Sequence, residues 1–281
     1  MNGSIAAVQF APRFMNVEAN VGRVTELLTS VARSGAALAV FPECSLSGYL
    51  LDRDEAIACA VEVPGPVTDR LAGLADSLEI TLVIGLLEQT AYGLHNTAIT
   101  FIPHGVPAIY RKTHLPRMGV DRFCTPGTAP YLPIETPIGP LGVLVCYDLR
   151  FPEPARILTL AGARTLVVPT NWPATATDYP DFLLRARASE NRVPIVAANR
   201  SGMERGGQFI GRSQVVAFDG TVLAEAGVDE EILIAHVESD PGPVGGRVAG
   251  LPDGPGGLLA DRRPDLYQLT NAPAIARSTP R

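Results

Sequence analysis

One stretch concentrates the chemistry of this chain: Val143-Leu144-Val145-Cys146-Tyr147-Asp148-Leu149-Arg150-Phe151-Pro152-Glu153. An apolar run of the kind that forms a buried strand stops at a cysteine. Polar residues and a proline follow, then a helix-forming stretch from about Glu153 to Ala163. A cysteine at the carboxyl end of a strand and ahead of a helix is placed to act as a nucleophile. It is expected to be exposed at the sheet's edge, and a helix N-terminus favours negative charge on sulfur. Two other reactive side chains have comparable addresses: Glu43 follows Ala39-Val40-Phe41-Pro42, and Lys112 follows Ala108-Ile109-Tyr110-Arg111. In a layered α/β protein the carboxyl ends of parallel strands line one crevice. If these three ends converge, a carboxylate, an ammonium and a thiol share one pocket.

That set suits acyl transfer. A thiolate attacks an amide-like carbon once a general base has taken the thiol proton. Glu43 is the candidate base; it would return the proton to departing ammonia and later activate water. The developing oxyanion needs fixed donors, and Lys112 and the backbone N–H of Tyr147 are the candidates; loss of one such donor typically costs about 100- to 1000-fold in rate. Lys112 would also hold the Glu43 carboxylate by a charge-assisted contact. Residue type and spacing leave an inert reading open for each: cysteine is among the most buried residue types, Glu43 can cap a turn, and Lys112 can be a solvated charge. The four histidines (His95, His104, His114, His236) lack metal-ligand spacing, with a structural hydrogen bond expected for His114. There is no HExxH, no GxSxG elbow and no dinucleotide fingerprint around Gly254 to Gly257.

The elements that must position these residues alternate. Strands are expected over Ile5 to Ala11, Ala37 to Phe41, Thr81 to Leu87, His95 to Ile102, Ala108 to Arg111, Gly142 to Val145, Thr165 to Val168 and Pro194 to Ala198. Helices are expected over Asn16 to Ser34 with Asn16 as cap, Asp52 to Cys59, Val67 to Leu78 and Asp178 to Arg192. Ser213 to Phe218, Asp219-Gly220 and Val222 to Glu225 read as a hairpin, and Glu231 to Val237 adds a strand. The result is one layered α/β domain over 1–281, with a sandwich core to about residue 240 and a Gly/Pro-rich C-terminal extension over about 240–281.

An apolar content of 46% against 19% charged suffices for a sizeable core, and a formal charge of −6 with scattered arginines argues against a nucleic-acid partner. No apolar run nears the roughly 18 residues that span a bilayer, and the start lacks a signal-peptide pattern. The four cysteines (Cys44, Cys59, Cys124, Cys146) show no CxxC spacing and are too sparse for a disulfide framework. The expected location is therefore the reducing cytoplasm.

Taken in order, the motifs resemble the nitrilase superfamily of carbon–nitrogen hydrolases over nearly the whole chain. They are Ala6-Ala7-Val8-Gln9-Phe10, Phe41-Pro42-Glu43 with Ser47-Gly48-Tyr49, Tyr110-Arg111-Lys112-Thr113-His114-Leu115, and Cys146-Tyr147-Asp148-Leu149-Arg150-Phe151-Pro152-Glu153. Asn171-Trp172-Pro173, Arg187-Ala188-Ser189-Glu190-Asn191, Asn199-Arg200-Ser201-Gly202 and Asp261-Arg262-Arg263-Pro264-Asp265-Leu266-Tyr267 follow. The resemblance implies a four-layer αββα sandwich, the triad Glu43, Lys112 and Cys146, a homodimer or larger homo-oligomer, and neither metal nor organic cofactor. Many members carry a second glutamate between the lysine and a Phe-x-Pro-Gly turn. The acid here is Asp121, open to two readings: an auxiliary carboxylate beside Lys112 or the substrate, or a loop aspartate bridging to Arg122 or a backbone N–H. Cys-Tyr-Asp-Leu-Arg-Phe looks like the branches that cleave small carboxamides. Expected, then, is hydrolysis of a small amide to acid and ammonia through a thioester, with an N-carbamoyl hydrolase or a catalytically silent nitrilase-fold scaffold as alternatives. Asn171 and Trp172, just past a strand end, and Tyr49 are candidate pocket residues, with Tyr131 a further possible wall; Arg150, Glu190 and Asn191 are expected to brace the structure.

Overall fold

Alternation along the first strand shows how the layers arise. Ile5 and Ala7 enter one apolar core while Ala6 and Val8 enter another, as the two-residue period of an extended chain requires. The computed structural model describes residues 2–238 and 258–267. Its strands are β1 (Asn2–Gln9), β2 (Leu38–Val40), β3 (Thr81–Thr90), β4 (Gly93–Phe101), β5 (Ala108–Arg111), β6 (Leu141–Val143), β7 (Thr165–Thr170) and β8 (Ile195–Asn199). A small ribbon β9 (Met203–Glu204) and β10 (Gly207–Gln208) precedes β11 (Gln214–Val216), β12 (Val222–Glu225) and β13 (Glu231–Glu238). The helices are α1 (Val17–Arg33), α2 (Arg53–Cys59), α3 (Pro66–Ser77), α4 (Pro152–Leu160) and α5 (Leu184–Asn191).

Two sheets form, in the orders β13-β1-β2-β3-β4-β5 and β12-β11-β8-β7-β6. Leu38, Val40, Val83 and Ala98 of the first sheet pack against Leu141, Val143, Val167 and Val196 of the second. The opposite face of the first sheet, through Ala39, Leu82, Ile84 and Ile99, meets α1 and α3. Helices α4 and α5 cover the second sheet through Ala155, Leu158, Leu184 and Ala188. The protein is thus a four-layer αββα sandwich. Helix α1 buries Val21, Val24, Leu27, Leu28 and Val31; at roughly 1.5–3 kcal/mol for each fully buried side chain, docking outweighs the weak helix propensity of its valines. Asn16 starts this helix by accepting the Ala19 N–H at 3.1 Å, and Asp52 with Glu55 forms a capping box on α2.

β1, β2 and β3 are parallel, and the β3-β4-β5 meander turns the chain twice, so β5 points the same way as β2. The carboxyl ends of β2 and β5, which carry Glu43 and Lys112, therefore share one edge of the first sheet.

Several boundaries differ from the sequence expectation. β1 ends at Gln9. β6 stops at Val143 because the Val145 N–H turns to the Asp148 carboxylate at 3.0 Å instead of a neighbouring strand. β7 runs through Pro169 to Thr170. The expected helix over Asp178 to Arg192 opens with a wide π-type turn, Tyr179–Leu183, before α5. The last strand, β13, does not extend the β11–β12 hairpin but pairs antiparallel with β1 in the other sheet. Among the described residues no helix is long and apolar enough to cross a membrane.

The chain divides after Asp240 into two compact units. Most of the expected C-terminal extension, 239–257 and 268–281, lies outside the described residues. Residues 258–267 of the second unit form turns, with Arg263 paired to Asp265 at 2.7 Å.

The Glu43 segment is seated directly on β3. The Gly85 N–H donates to the Pro42 carbonyl at 3.1 Å, and the Ser45 N–H donates to the Gly85 carbonyl at 2.8 Å. A Cβ on Gly85 would lie 2.5 Å from the Glu43 Cα, a backbone contact that no rotamer change relieves. Gly85→Ala is expected to lower stability by about 1–3 kcal/mol, the usual range for overpacking, measured by urea denaturation, and to displace Glu43.

Candidate active site

Lys112 leaves β5 with its backbone pinned on both sides. Its N–H donates to the Asn96 carbonyl at 2.8 Å, and its carbonyl accepts the Gly127 N–H at 2.9 Å. The Pro126-Gly127 turn lies so close that a Cβ on Gly127 would stand 2.1 Å from the Arg111 carbonyl oxygen, which is why glycine follows this proline. Arg111, one residue earlier, holds the buried Glu88 carboxylate with two bonds of 2.6 and 2.7 Å. The strand end cannot slide without breaking that fork.

The Lys112 ammonium is fully buried between two carboxylates, 2.6 Å from Glu43 Oε1 and 2.6 Å from Asp121 Oδ2. Asn96, inside β4, bridges the same two acids: its Nδ2 donates to Glu43 Oε1 at 2.7 Å and to Asp121 Oδ1 at 2.8 Å. The Tyr49 hydroxyl donates to Asp121 Oδ2 at 2.8 Å. Of the two readings for Asp121, the geometry selects the carboxylate beside Lys112. The Arg122 guanidinium turns instead to the Gly119 carbonyl at 2.9 Å.

Two acids around one cation leave an electrostatic imbalance. Burial pushes Glu43 up, Lys112 draws it down and Asp121 pushes it up again, for a net pKa above the usual carboxylate value. Burial works against the Lys112 ammonium, but Asp121 and Glu43 more than offset it, so its pKa stands well above the usual lysine value. Glu43 Oε1 is committed to Lys112 and Asn96, whereas Glu43 Oε2 is buried without a hydrogen-bond partner.

Cys146 opens a 3-10 turn, Cys146–Arg150, with a φ of 47°, a left-handed conformation that costs roughly 1–3 kcal/mol in a non-glycine residue. Asp148 holds it there. Its buried carboxylate accepts the Val145 N–H (3.0 Å), the Tyr110 hydroxyl (2.8 Å), the Thr113 hydroxyl (3.0 Å), and the N–H (3.0 Å) and Nδ1 (2.8 Å) of His114. One side chain thus latches the cysteine turn to the segment that carries Lys112. Arg187 on α5 adds bonds to the Leu149 and Arg150 carbonyls at 3.2 and 3.3 Å.

One expectation about the cysteine is corrected. It is buried, not exposed at the sheet's edge, and it packs in the core between the two sheets. The helix expected from about Glu153 begins at Pro152, with the 3-10 turn Cys146–Arg150 between it and the cysteine. Burial first and Glu43 second push its thiol up, while Lys112, the Asn171 N–H and the Thr170 hydroxyl draw it down; the net direction is up. Burial thus favours the neutral thiol.

The other sequence candidates divide. Tyr49 is buried and supports Asp121. Asn171 Nδ2 donates to the Glu43 carbonyl at 2.9 Å. Trp172 is buried and stacked on Tyr179 at 4.9 Å, its Nε1 without a partner, and Asn199 positions this segment by accepting the Trp172 N–H at 2.8 Å. The Tyr147 N–H lies in the first turn of the 3-10 segment, where helical N–H groups have no intrahelical acceptor. Tyr131 bonds the Thr113 hydroxyl at 2.5 Å. Arg150 braces, pairing with Asp178 and lying over the Tyr179 ring; Glu190 pairs with Arg187 at 3.0 Å, and Asn191 Nδ2 donates to the Arg187 carbonyl. Sequence reasoning missed Asn96 and the latch role of Asp148. The signal was present: His95-Asn96-Thr97 is a polar run inside an apolar strand, and an acid two residues past a strand-end cysteine sits where a turn needs an acceptor. Among the described residues no group of three or more His, Cys, Asp or Glu side chains could hold a metal ion.

The family model for carbon–nitrogen hydrolases matches residues 4–241. The chain belongs to the carbon–nitrogen hydrolase family. Within that family, a probable nitrilase of Schizosaccharomyces pombe is 31% identical, covering 97% of this chain and 100% of its own. An omega-amidase of Xenopus tropicalis is also 31% identical, over 83% of this chain and 88% of its own. Among solved structures, a variant of the amidase from Nesterenkonia sp. AN1 superposes with a TM-score of 0.78 at 29% identity, covering 94% of this chain and 95% of that one. That amidase carries the acetamide moiety of fluoroacetamide covalently on its active-site cysteine.

The latch of this carbon–nitrogen hydrolase is open to direct test. Asp148→Ala strands five donors and is expected to cost about 3 kcal/mol or more in urea unfolding, whereas Tyr110→Phe removes one and should cost about 1 kcal/mol.

Proposed function

We propose that this carbon–nitrogen hydrolase cleaves the C–N bond of a small carboxamide, giving an acid and ammonia through a thioester on Cys146. The observation that carries the reading is the division of labour in the Glu43 carboxylate. Oε1 is held by Lys112 and Asn96, and Oε2 is unpartnered in the site of a buried thiol.

In this reading Oε2 takes the thiol proton as sulfur bonds to the carbonyl carbon. The carbonyl π electrons move onto oxygen. An ammonium has three donors, and Lys112 spends two on Glu43 and Asp121, so the third faces the oxyanion together with the Tyr147 N–H. On collapse the C–N bond breaks, the protonated Glu43 gives its proton to nitrogen, and ammonia leaves. Water then attacks the thioester with Glu43 as base; the C–S bond breaks and the proton returns to sulfur. The covalent cysteine adduct of the Nesterenkonia amidase supports Cys146 as the nucleophile, and the omega-amidase similarity supports an amide as the substrate.

A screen for ammonia release over amides, nitriles and N-carbamoyl amino acids tests the substrate class, with Cys146→Ala as the silent control. Release from carboxamides that survives Cys146→Ala overturns the reading. Carbon dioxide appearing with ammonia from carbamoyl compounds alone would move it to the carbamoyl class. Glu43→Gln is expected to lower kcat by about 100-fold or more.

The pH profile follows from the direction of the Glu43 shift. The reacting form needs ionised Glu43, whose pKa is raised above 4.5. Activity should therefore fall as pH drops through that raised value, placing the acid limb of kcat/KM above the ordinary carboxylate range. An acid limb at or below 4.5 would contradict the assignment of Glu43 as base.

A further inference from the structure

Arg200 and Glu204 form an ion pair whose side chains are only 1% and 2% exposed. Burying such a pair usually gains little stability over apolar residues of similar size, so its contacts say more than its charges. Arg200 takes one carboxylate oxygen, Oε2, and its guanidinium lies 4.2 Å over the Phe209 ring. The other oxygen, Oε1, accepts two successive backbone N–H groups, those of Tyr49 at 2.8 Å and Leu50 at 2.5 Å. Glu204, on the small β9-β10 ribbon, thus grips the chain at the residue whose hydroxyl enters the Lys112 site.

Tyr49 cannot absorb a shift of that grip. Behind it, a Cβ on Gly48 would stand 2.5 Å from Glu204 Oε2. In front, the Tyr49 ring lies on the bare face of Gly119, where a Cβ would be 2.3 Å from the ring. The Tyr49 carbonyl accepts the Val120 N–H at 2.8 Å. Its hydroxyl donates to Asp121 Oδ2 at 2.8 Å, the oxygen that meets the Lys112 ammonium at 2.6 Å. The contacts of Tyr49 therefore fall on Gly119, Val120 and Asp121, successive residues of one 3-10 turn. A displacement of Tyr49 moves that turn, and Asp121 is one of the two acids that aim the ammonium.

We propose that Glu204 is a positioning residue for the candidate active site, acting through Tyr49 and Asp121 to set where the Lys112 ammonium points. It reaches neither substrate nor nucleophile. The inference rests on the reading above, in which Lys112 serves the oxyanion. A misplacement of about 1 Å at such a group can cost about 100-fold in rate, so a shift of about 0.5 Å is expected to cost roughly 10-fold.

The test is a double-mutant cycle on kcat and KM, with the primary amide and the 4-nitrophenyl ester of one acid as substrates. It uses wild type, Glu204→Gln, Tyr49→Phe and the double variant. Each single variant is expected to lower kcat roughly 10-fold with KM within about 3-fold of wild type. The double variant should stay within about 3-fold of the slower single one, because both changes interrupt the same line of contacts. If the Gln protein does not unfold cooperatively in urea, Glu204→Asp, which keeps the charge and withdraws the grip, takes its place. Losses that multiply, or a Glu204 variant that is less stable but keeps the wild-type kcat, would show that Glu204 only satisfies the loop and would overturn the proposal. A wild-type protein that turns over the ester but releases no ammonia from any carboxamide fails the amidase reading instead, and the same cycle on the ester still decides the role of Glu204.

Discussion

The structure depends on one buried cation. Lys112 has no contact with solvent, and a lone ammonium in that environment would lose its proton or draw in water. Glu43 and Asp121 keep it charged, and in doing so they crowd two carboxylates into one site. The surroundings are explained by the need to hold that excess charge. Asn96 donates to both acids and Tyr49 to one. Tyr49 is itself hung by its backbone N–H from Glu204 at 2.8 Å, a carboxylate neutralised by buried Arg200, whose guanidinium lies 4.2 Å over the Phe209 ring. The chain of support runs from the Asn199-Arg200 motif to the ammonium, each link a hydrogen bond between buried groups. Taking the ammonium away would leave two buried carboxylates without a counter-charge, so the geometry tolerates few alternatives.

A second constraint acts on the nucleophile. The left-handed backbone at Cys146 is unfavourable, and it is held by Asp148, whose five donors come from the cysteine turn and from the Lys112 segment. The same carboxylate that permits the strained turn ties it to the segment that carries Lys112. Burial is the largest cause raising both the Glu43 carboxyl and the Cys146 thiol.

Much of this was legible in the residues. The apolar run of β1, the 3.6-residue spacing on α1 and the Asp219-Gly220 turn foretold these elements, because burial and local turn chemistry dictate them. Glu43, Lys112 and Cys146 could be placed at strand ends because apolar runs stop there. What could not be read depended on contacts distant in the chain. Asn96 lies 53 positions from Glu43 and 25 from Asp121, and only the β3-β4-β5 meander brings it beneath them. The helix after the cysteine begins where the sequence places it, but the 3-10 turn at Cys146–Arg150 was not legible, because it depends on Asp148 capturing the Val145 N–H. The pairing of β13 with β1 reunites the two ends of the first unit, and no local pattern announces it.

The central claim is that Glu43, Lys112 and Cys146 act together through a thioester. Partitioning by hydroxylamine tests it most directly: the primary amide and the 4-nitrophenyl ester of one acid are turned over with increasing hydroxylamine, and hydroxamate and free acid are measured. A shared acyl-Cys146 intermediate predicts the same hydroxamate-to-acid ratio from both substrates at each concentration. Acid alone from the amide, or ratios that differ between the two substrates, would contradict the account.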